Sequence, residues 1–204
     1  HSLSAHYLSD RHRASEDHAA VLVKVGRAKQ EVKITRLFND TCTYGQTCAV
    51  HATSNNPHVT IHFSSQTPDI CVVDETSGQI YARAVGACNI VAKQEEDGRY
   101  SAAQASYSLM IAAATLDLSL LPDLTTTYVH NQPFQLSKPE SPSQGEFSYH
   151  IAEHEQMTAT VNEKTGEVTI NKSGAVTITV KQAAHGNYQA AIGSFKLQIN
   201  PDEG

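Results

Sequence analysis

The residues best equipped for chemistry are four cysteines: Cys42, Cys48, Cys71 and Cys88. Oxidised, they allow three pairings into two disulfides. Reduced, they are candidate zinc ligands. Zinc sites usually join one CxxC unit to a second such unit or to a His pair, whereas five residues separate Cys42 from Cys48 and sixteen separate Cys71 from Cys88. Disulfides are the preferred reading, with zinc the rival, and they imply an oxidising compartment. His58 and His62, with Thr60 between them, read as one strand face about 13 Å apart at ~3.3 Å rise per residue, too far to share a metal. His150 and His154 have the same spacing, and the alternation around them favours strand over the helical turn that would bring them together. Both pairs read as solvated surface.

Asp74, Glu75 and Asp97 are carboxylates of the kind calcium takes from loops. Ordinary turn chemistry accounts for them equally well. No GxSxG elbow occurs and no cysteine carries a local His signature, so nucleophilic catalysis lacks sequence support. Neither catalytic residues nor a cofactor is expected. Asn39-Asp40-Thr41 and Asn171-Lys172-Ser173 match the glycosylation sequon, a triplet frequent by chance.

Composition restricts the classes further. The 204 residues are 40% hydrophobic and 18% charged, with net charge −6 and no Trp, which suits a folded chain with thin cores. No basic cluster marks a nucleic-acid face. The longest apolar run, LMIAAATL over 109–116, is too short to cross a bilayer, and HSLSAHYLSD lacks the marks of a signal peptide.

What must position these residues is a repeat. Shifted by 88 residues, Val73–Ile111 aligns without a gap on Val161–Ile199. AKQEEDGRYSAA (92–103) falls on VKQAAHGNYQAA (180–191), so Gly86, Gly98 and Tyr100 meet Gly174, Gly186 and Tyr188. Upstream, TCTYGQTCAVHA (41–52) fits TTTYVHNQPFQL (125–136) under a shift of 84. The four-residue difference predicts a longer loop in the second copy, within SKPESPSQGE. Inside each copy apolar residues alternate, as in Val176, Ile178, Val180 and in Val59, Ile61, Phe63. Polar runs ending in Gly78 and Gly166 read as hairpin turns with a residue at positive φ. Short strands and turns at this spacing indicate a β-sandwich in each copy.

The predicted fold is all-β: two tandem sandwiches at 28–113 and 114–204, preceded by a segment at 1–27. Within that segment Val21, Val23 and Val25 resemble the last strand of a preceding repeat, or a strand exchanged between molecules. A plain N-terminal extension is the alternative. The repeat also bears on the cysteines. Cys71 meets Ala159 and Cys88 meets Val176, both inward positions, so the second copy lacks both together and a Cys71–Cys88 bridge is favoured. Cys42 and Cys48, replaced by Thr126 and Gln132, would then close a small loop around TYGQT.

A Gly before an alternating strand, then Lys-Gln, a turn with Gly, a Tyr and Ala-Ala before a final strand resembles the bacterial immunoglobulin-like repeats of large surface adhesins and the intimin and invasin group. The resemblance spans roughly 28–199. It implies immunoglobulin-like modules, an extracellular or cell-surface location, no catalytic residues, and a stalk or spacer role. Implied partners are flanking repeats of the same polypeptide, copies of itself, or a host receptor or glycan, with no nucleic acid. Tyr100 and Tyr188 are read as structural, ring packed across the loop and hydroxyl bonded to backbone. The residues that differ between the two loops, Arg99 against Asn187 among them, are read as free for recognition.

Overall fold

The computed structural model describes residues 26–203, so the predicted strand around Val21–Val25 lies outside the described residues. Alternating apolar residues give strands throughout, and the strands form two sandwiches in sequence. The first contains β1 (Val32–Thr35), β2 (Thr41–Thr43), β3 (Cys48–Ala49), β4 (His51–Ser54), β5 (Ile61–Ser65), β6 (Cys71–Val73), β7 (Gln79–Ala82), β8 (Gly86–Gln94) and β9 (Ala103–Ala112). A four-stranded sheet ordered β2-β9-β8-β5 faces a three-stranded sheet β3-β7-β6, with β1 and β4 as a two-stranded ribbon. The second contains β10 (Leu124–Thr127), β11 (Phe134–Gln135), β12 (Phe147–Ile151), β13 (Ala159–Val161), β14 (Glu167–Ile170), β15 (Gly174–Gln182) and β16 (Ala191–Asn200). Its sheets are β10-β16-β15-β12 and β11-β14-β13. In each sandwich one short strand runs parallel to the last long one, β2 to β9 and β10 to β16.

Period-two alternation sends one side of each long strand inward. Cys88, Ile90 and Ala92 of β8 are fully buried with Leu109 and Ile111 of β9, while Val176, Ile178 and Val180 of β15 do the same with Leu197 and Ile199. Each set forms its own apolar cluster. Gly78 closes the β6–β7 turn at φ 77°, and a Cβ there would stand 2.2 Å from the Val50 carbonyl oxygen, so only glycine fits.

The extra residues of the second copy are not within SKPESPSQGE. Pairing registers place Tyr128 as Tyr44, Phe134 as Cys48, Phe147 as Ile61 and Ala159 as Cys71. The offsets are therefore 84, 86, 86 and 88. Two residues enter between Tyr128 and Phe134, and two more between β12 and β13, where Glu153–Glu155 forms a 3-10 turn. Phe134, rather than Gln132, thus occupies the place of Cys48. The turn formers of SKPESPSQGE mark a loop that has the same length in both copies. The second sandwich also lacks the β1–β4 ribbon. By the same register Pro139 replaces Thr53, which pairs with Lys33 in the first copy, and proline has no N–H to give to a ladder.

Candidate functional site

Where the two sandwiches meet, the chain turns from one to the other in a single residue. Ala112 ends β9 and its carbonyl accepts the Tyr44 N–H at 2.8 Å. After Ala113, Ala114 is already bound to the second sandwich, donating to the Asn187 carbonyl at 2.8 Å and accepting from the Gln189 N–H at 2.8 Å. The Gln189 side-chain amide holds the Ala113 carbonyl as well, at 3.0 Å. Across the junction, the Tyr44 ring meets Tyr188 edge-on with centroids 5.8 Å apart and an interplanar angle of 77°. The Val85 N–H donates to Asn187 Oδ1 at 3.0 Å. An edge-to-face pair of this kind contributes about 0.5–1.5 kcal/mol beyond its buried area.

The repeated loop supplies one side of this junction, and its chemistry explains how. In the second copy His185 and Tyr188 exchange two backbone hydrogen bonds, both 3.1 Å, around Gly186 at φ 56°. A two-residue turn of this kind needs a left-handed residue at its first central position. In the first copy Gly98 does not take a positive φ. There Asp97 organises the turn, its Oδ1 accepting from Arg99 N at 2.7 Å and Tyr100 N at 2.8 Å. Position 97 corresponds to His185, which has no carboxylate to do this, so the same Gly serves two different turns. Asn187, expected to be free, is engaged at the junction. Tyr100 and Tyr188 are both half-buried, and among the described residues neither hydroxyl has a hydrogen-bond partner. At the junction the Tyr188 ring, not its hydroxyl, carries the contact.

Both disulfides span the two sheets of the first sandwich. Cys71 in β6 and Cys88 in β8, each fully buried, are joined with Cα atoms 5.8 Å apart. Cys42 in β2 and Cys48 in β3 are joined at 6.3 Å, closing the loop that carries Tyr44. The junction tyrosine therefore sits on a crosslinked loop.

Sequence reading passed over one residue of the repeated motif, the glutamine of Lys-Gln. Gln94 and Gln182 are buried, 0% and 1% exposed. The Gln94 amide donates to the carbonyls of Asn56 and Val59 at 2.9 and 2.7 Å, and Gln182 to those of Ser143 and Gly145 at 3.0 and 3.1 Å. Each ties a loop of unrelated sequence to the long central strand. Its inward phase, two residues beyond Ala92 or Val180, was the available signal.

The remaining candidates are scattered. His58 is not on a strand. Asn56 Oδ1 accepts its N–H at 3.0 Å and Pro57 precedes it, which makes a turn. His62 stands on β5, 3.2 Å from Glu75. His150 lies on β12 but His154 lies in the 3-10 turn, so the second pair is not extended either. Among the described residues no group of three His, Cys, Asp or Glu could hold a metal ion. Asp74 caps its own turn, accepting from Thr76 N and Ser77 N at 3.0 and 2.8 Å, and the Ser77 bond chiefly holds its carboxyl below the usual range. Asp97 is depressed likewise, first by the Arg99 N–H and then by the Asn56 amide. Asp40 is lowered by Arg36 and by the Tyr107 hydroxyl, which donates to it at 2.7 Å. That Asp40 bracket supports a turn at Asn39 and Asp40, φ 56° and 50°, from which Phe38 projects 87% exposed. Asn39 of the first sequon lies in this turn. A groove of about 730 Å³ in the second sandwich is lined by Leu116, Phe147 and Ile192 together with Ser148, Glu163 and Lys181. Among the described residues no helix is long and apolar enough to cross a membrane.

No protein-family model matches the chain, and no curated protein sequence matches it. Solved structures do. It is similar to cadherin-23 EC22-24 of mouse, with 11% identity and TM-score 0.34 over 79% of this chain and 62% of that one. It is similar to domains 4 and 5 of the S-layer protein SbsC, with 16% identity and TM-score 0.33 over 85% and 100%. A SusE-like surface located polysaccharide binding protein of Bacteroides thetaiotaomicron matches at 13% identity and TM-score 0.32 over 84% and 34%. The chain spans about three fifths of the cadherin chain it matches.

Proposed function

We propose that the chain is a non-enzymatic spacer: two immunoglobulin-like modules, 28–113 and 114–204, of an exported bacterial surface protein, related to the repeats of intimin- and invasin-type adhesins. One observation carries this reading. The connection is a single residue, Ala113, and it is flanked by a backbone pairing at Ala114, the Tyr44–Tyr188 contact and the Val85–Asn187 hydrogen bond. A connection this short, hydrogen-bonded on both sides, resists bending, and a spacer needs that property more than any reactive group. The motif residues Gly86, Gly98, Tyr100, Gly174, Gly186 and Tyr188 serve the scaffold in this reading, and the two disulfides fit an oxidising, extracellular location.

Backbone 15N relaxation tests it. A spacer gives both sandwiches one rotational correlation time, and Tyr44→Ala with Asn187→Ala separates them. Two distinct correlation times in the unaltered protein would refute the spacer reading. A receptor- or glycan-binding role is the second reading, favoured by Phe38 standing exposed on a braced turn. If Phe38→Ala leaves adhesion of the parent protein unchanged, that reading falls.

A further inference from the structure

The groove of about 730 Å³ in the second sandwich has a counterpart of about 520 Å³ in the first, and the two differ in how their charges are used. The Tyr149 N–H donates to the Glu163 carbonyl, Ser148 faces Lys181, and Lys181 faces Ile192. Glu163, Ser148, Lys181 and Ile192 therefore follow one another across neighbouring backbones. Val180 and Gln182 are buried on either side of Lys181, which turns Ser148, Lys181 and Ile192 to the outer face. By the same registers the first sandwich has Glu75, His62, Lys93 and Gln104 in this row. There each charge has a partner: His62 stands 3.2 Å from Glu75, and Lys93 Nζ 3.2 Å from Glu95. The second copy keeps the acid and the base and removes both partners, with Ser148 in place of His62 and Ala183 in place of Glu95. Among the described residues neither Glu163 nor Lys181 is in an ion pair. Apolar residues enter at the same time. Ile192, 62% exposed, replaces Gln104. Leu116 replaces Gln30, whose amide donates to the Gln94 and Glu95 carbonyls at 3.2 and 3.1 Å.

We infer that this groove binds an extended peptide segment laid across the strands, with a basic side chain against Glu163, an acidic one against Lys181 and an apolar one against Leu116 and Ile192. Charge order and length both argue for this occupant. At a strand spacing of about 4.8 Å the row from Glu163 to Ile192 spans about 14 Å, and an extended chain puts its first, third and fifth side chains on one face over about 13 Å. A groove of this volume accommodates a ligand of that size. A neutral saccharide offers neither charge, and a polyanion or polycation matches only one of them. The inference adds a binding role to the spacer and depends on neither the junction nor Phe38.

The test is titration of the full chain with the N-acetylated, C-amidated peptide Lys-Thr-Glu-Thr-Leu, followed by amide chemical shifts. Saturable shifts are expected at Ser148, Lys181 and Ile192. The charge-exchanged peptide Glu-Thr-Lys-Thr-Leu is expected to bind about tenfold more weakly, because two ion pairs are lost. Glu163→Lys together with Lys181→Glu should exchange the two affinities. Ser148→His together with Ala183→Glu rebuilds the first copy's ion pairs and should weaken binding of the first peptide, since each charge then has an internal partner. Amide signals away from the groove report that each variant is folded. No shift at millimolar peptide, equal binding of the two peptides, or a groove that answers to the neutral sugar cellotetraose and not to the peptide overturns the inference. The shared correlation time that tests the spacer is measured without peptide, so the two readings fail separately.

Discussion

Replacing Cys71 by Ala and Cys88 by Val gives the first sandwich the residues its second copy uses at the same places, Ala159 and Val176, which are 0% and 1% exposed there. The exchange keeps the same number of side-chain heavy atoms in the core, so little cavity is expected to open. What it removes is the crosslink between β6 and β8. With a sequence separation of 17, the loop-closure expression gives about 3 kcal/mol. For a domain of this size that corresponds to a fall in melting temperature of roughly 12–24 °C. Differential scanning calorimetry should resolve this as one transition moving down while the transition of the second sandwich stays in place. Separate Cys71→Ala and Cys88→Ala substitutions in one protein should cost more, because the Val side chain is then missing as well. A loss below about 1 kcal/mol for the Ala/Val pair would refute the crosslink argument, as would an equal fall in both transitions.

Other outcomes follow from single contacts. Asp40, Asp74 and Asp97 have lower pKa values folded than their ordinary 3.8, so their stabilisation is complete above that value and is lost as pH falls through the folded values below it. The second sandwich has Leu124, Asn162 and His185 at these places, and Asn162 caps its turn without titrating. Acid unfolding below about pH 4, followed by amide signals, should therefore begin in the first sandwich, although Asp117 gives the second one carboxylate of the same kind. Gln94→Leu should destabilise the first sandwich by about 2–3 kcal/mol in denaturant titration, since the Asn56 and Val59 carbonyls lose their donor. Gly78→Ala should cost at least about 2 kcal/mol, because the left-handed φ and the Val50 carbonyl oppose the new methyl together.

The strands, their inward faces and the twofold repeat were legible in the sequence because they rest on period-two alternation and on glycines at turns, both local properties. Val176, Ile178 and Val180 alternate in the chain and are buried in the fold for one reason. The placement of the extra residues was not legible, since turn formers in SKPESPSQGE mark a loop without marking a longer one. Nor were the histidines: Pro57 and the Asn56 side chain turn the backbone before the strand can begin. The lost β1–β4 ribbon depended on which residue Pro139 faces across the sheet, and register is a property of two segments together.

The candidate site divides along the same line. By itself the sequence determined that the Lys-Gln to Ala-Ala stretch is repeated, an order of residues kept twice around differing neighbours. Tertiary structure alone decided what the stretch is for. Tyr44 and Tyr188 are 144 positions apart in the numbering, and only the fold of both sandwiches around the single residue Ala113 brings their rings to 5.8 Å. Contact across a junction depends on where two complete domains put their ends, and no periodicity within either one encodes that.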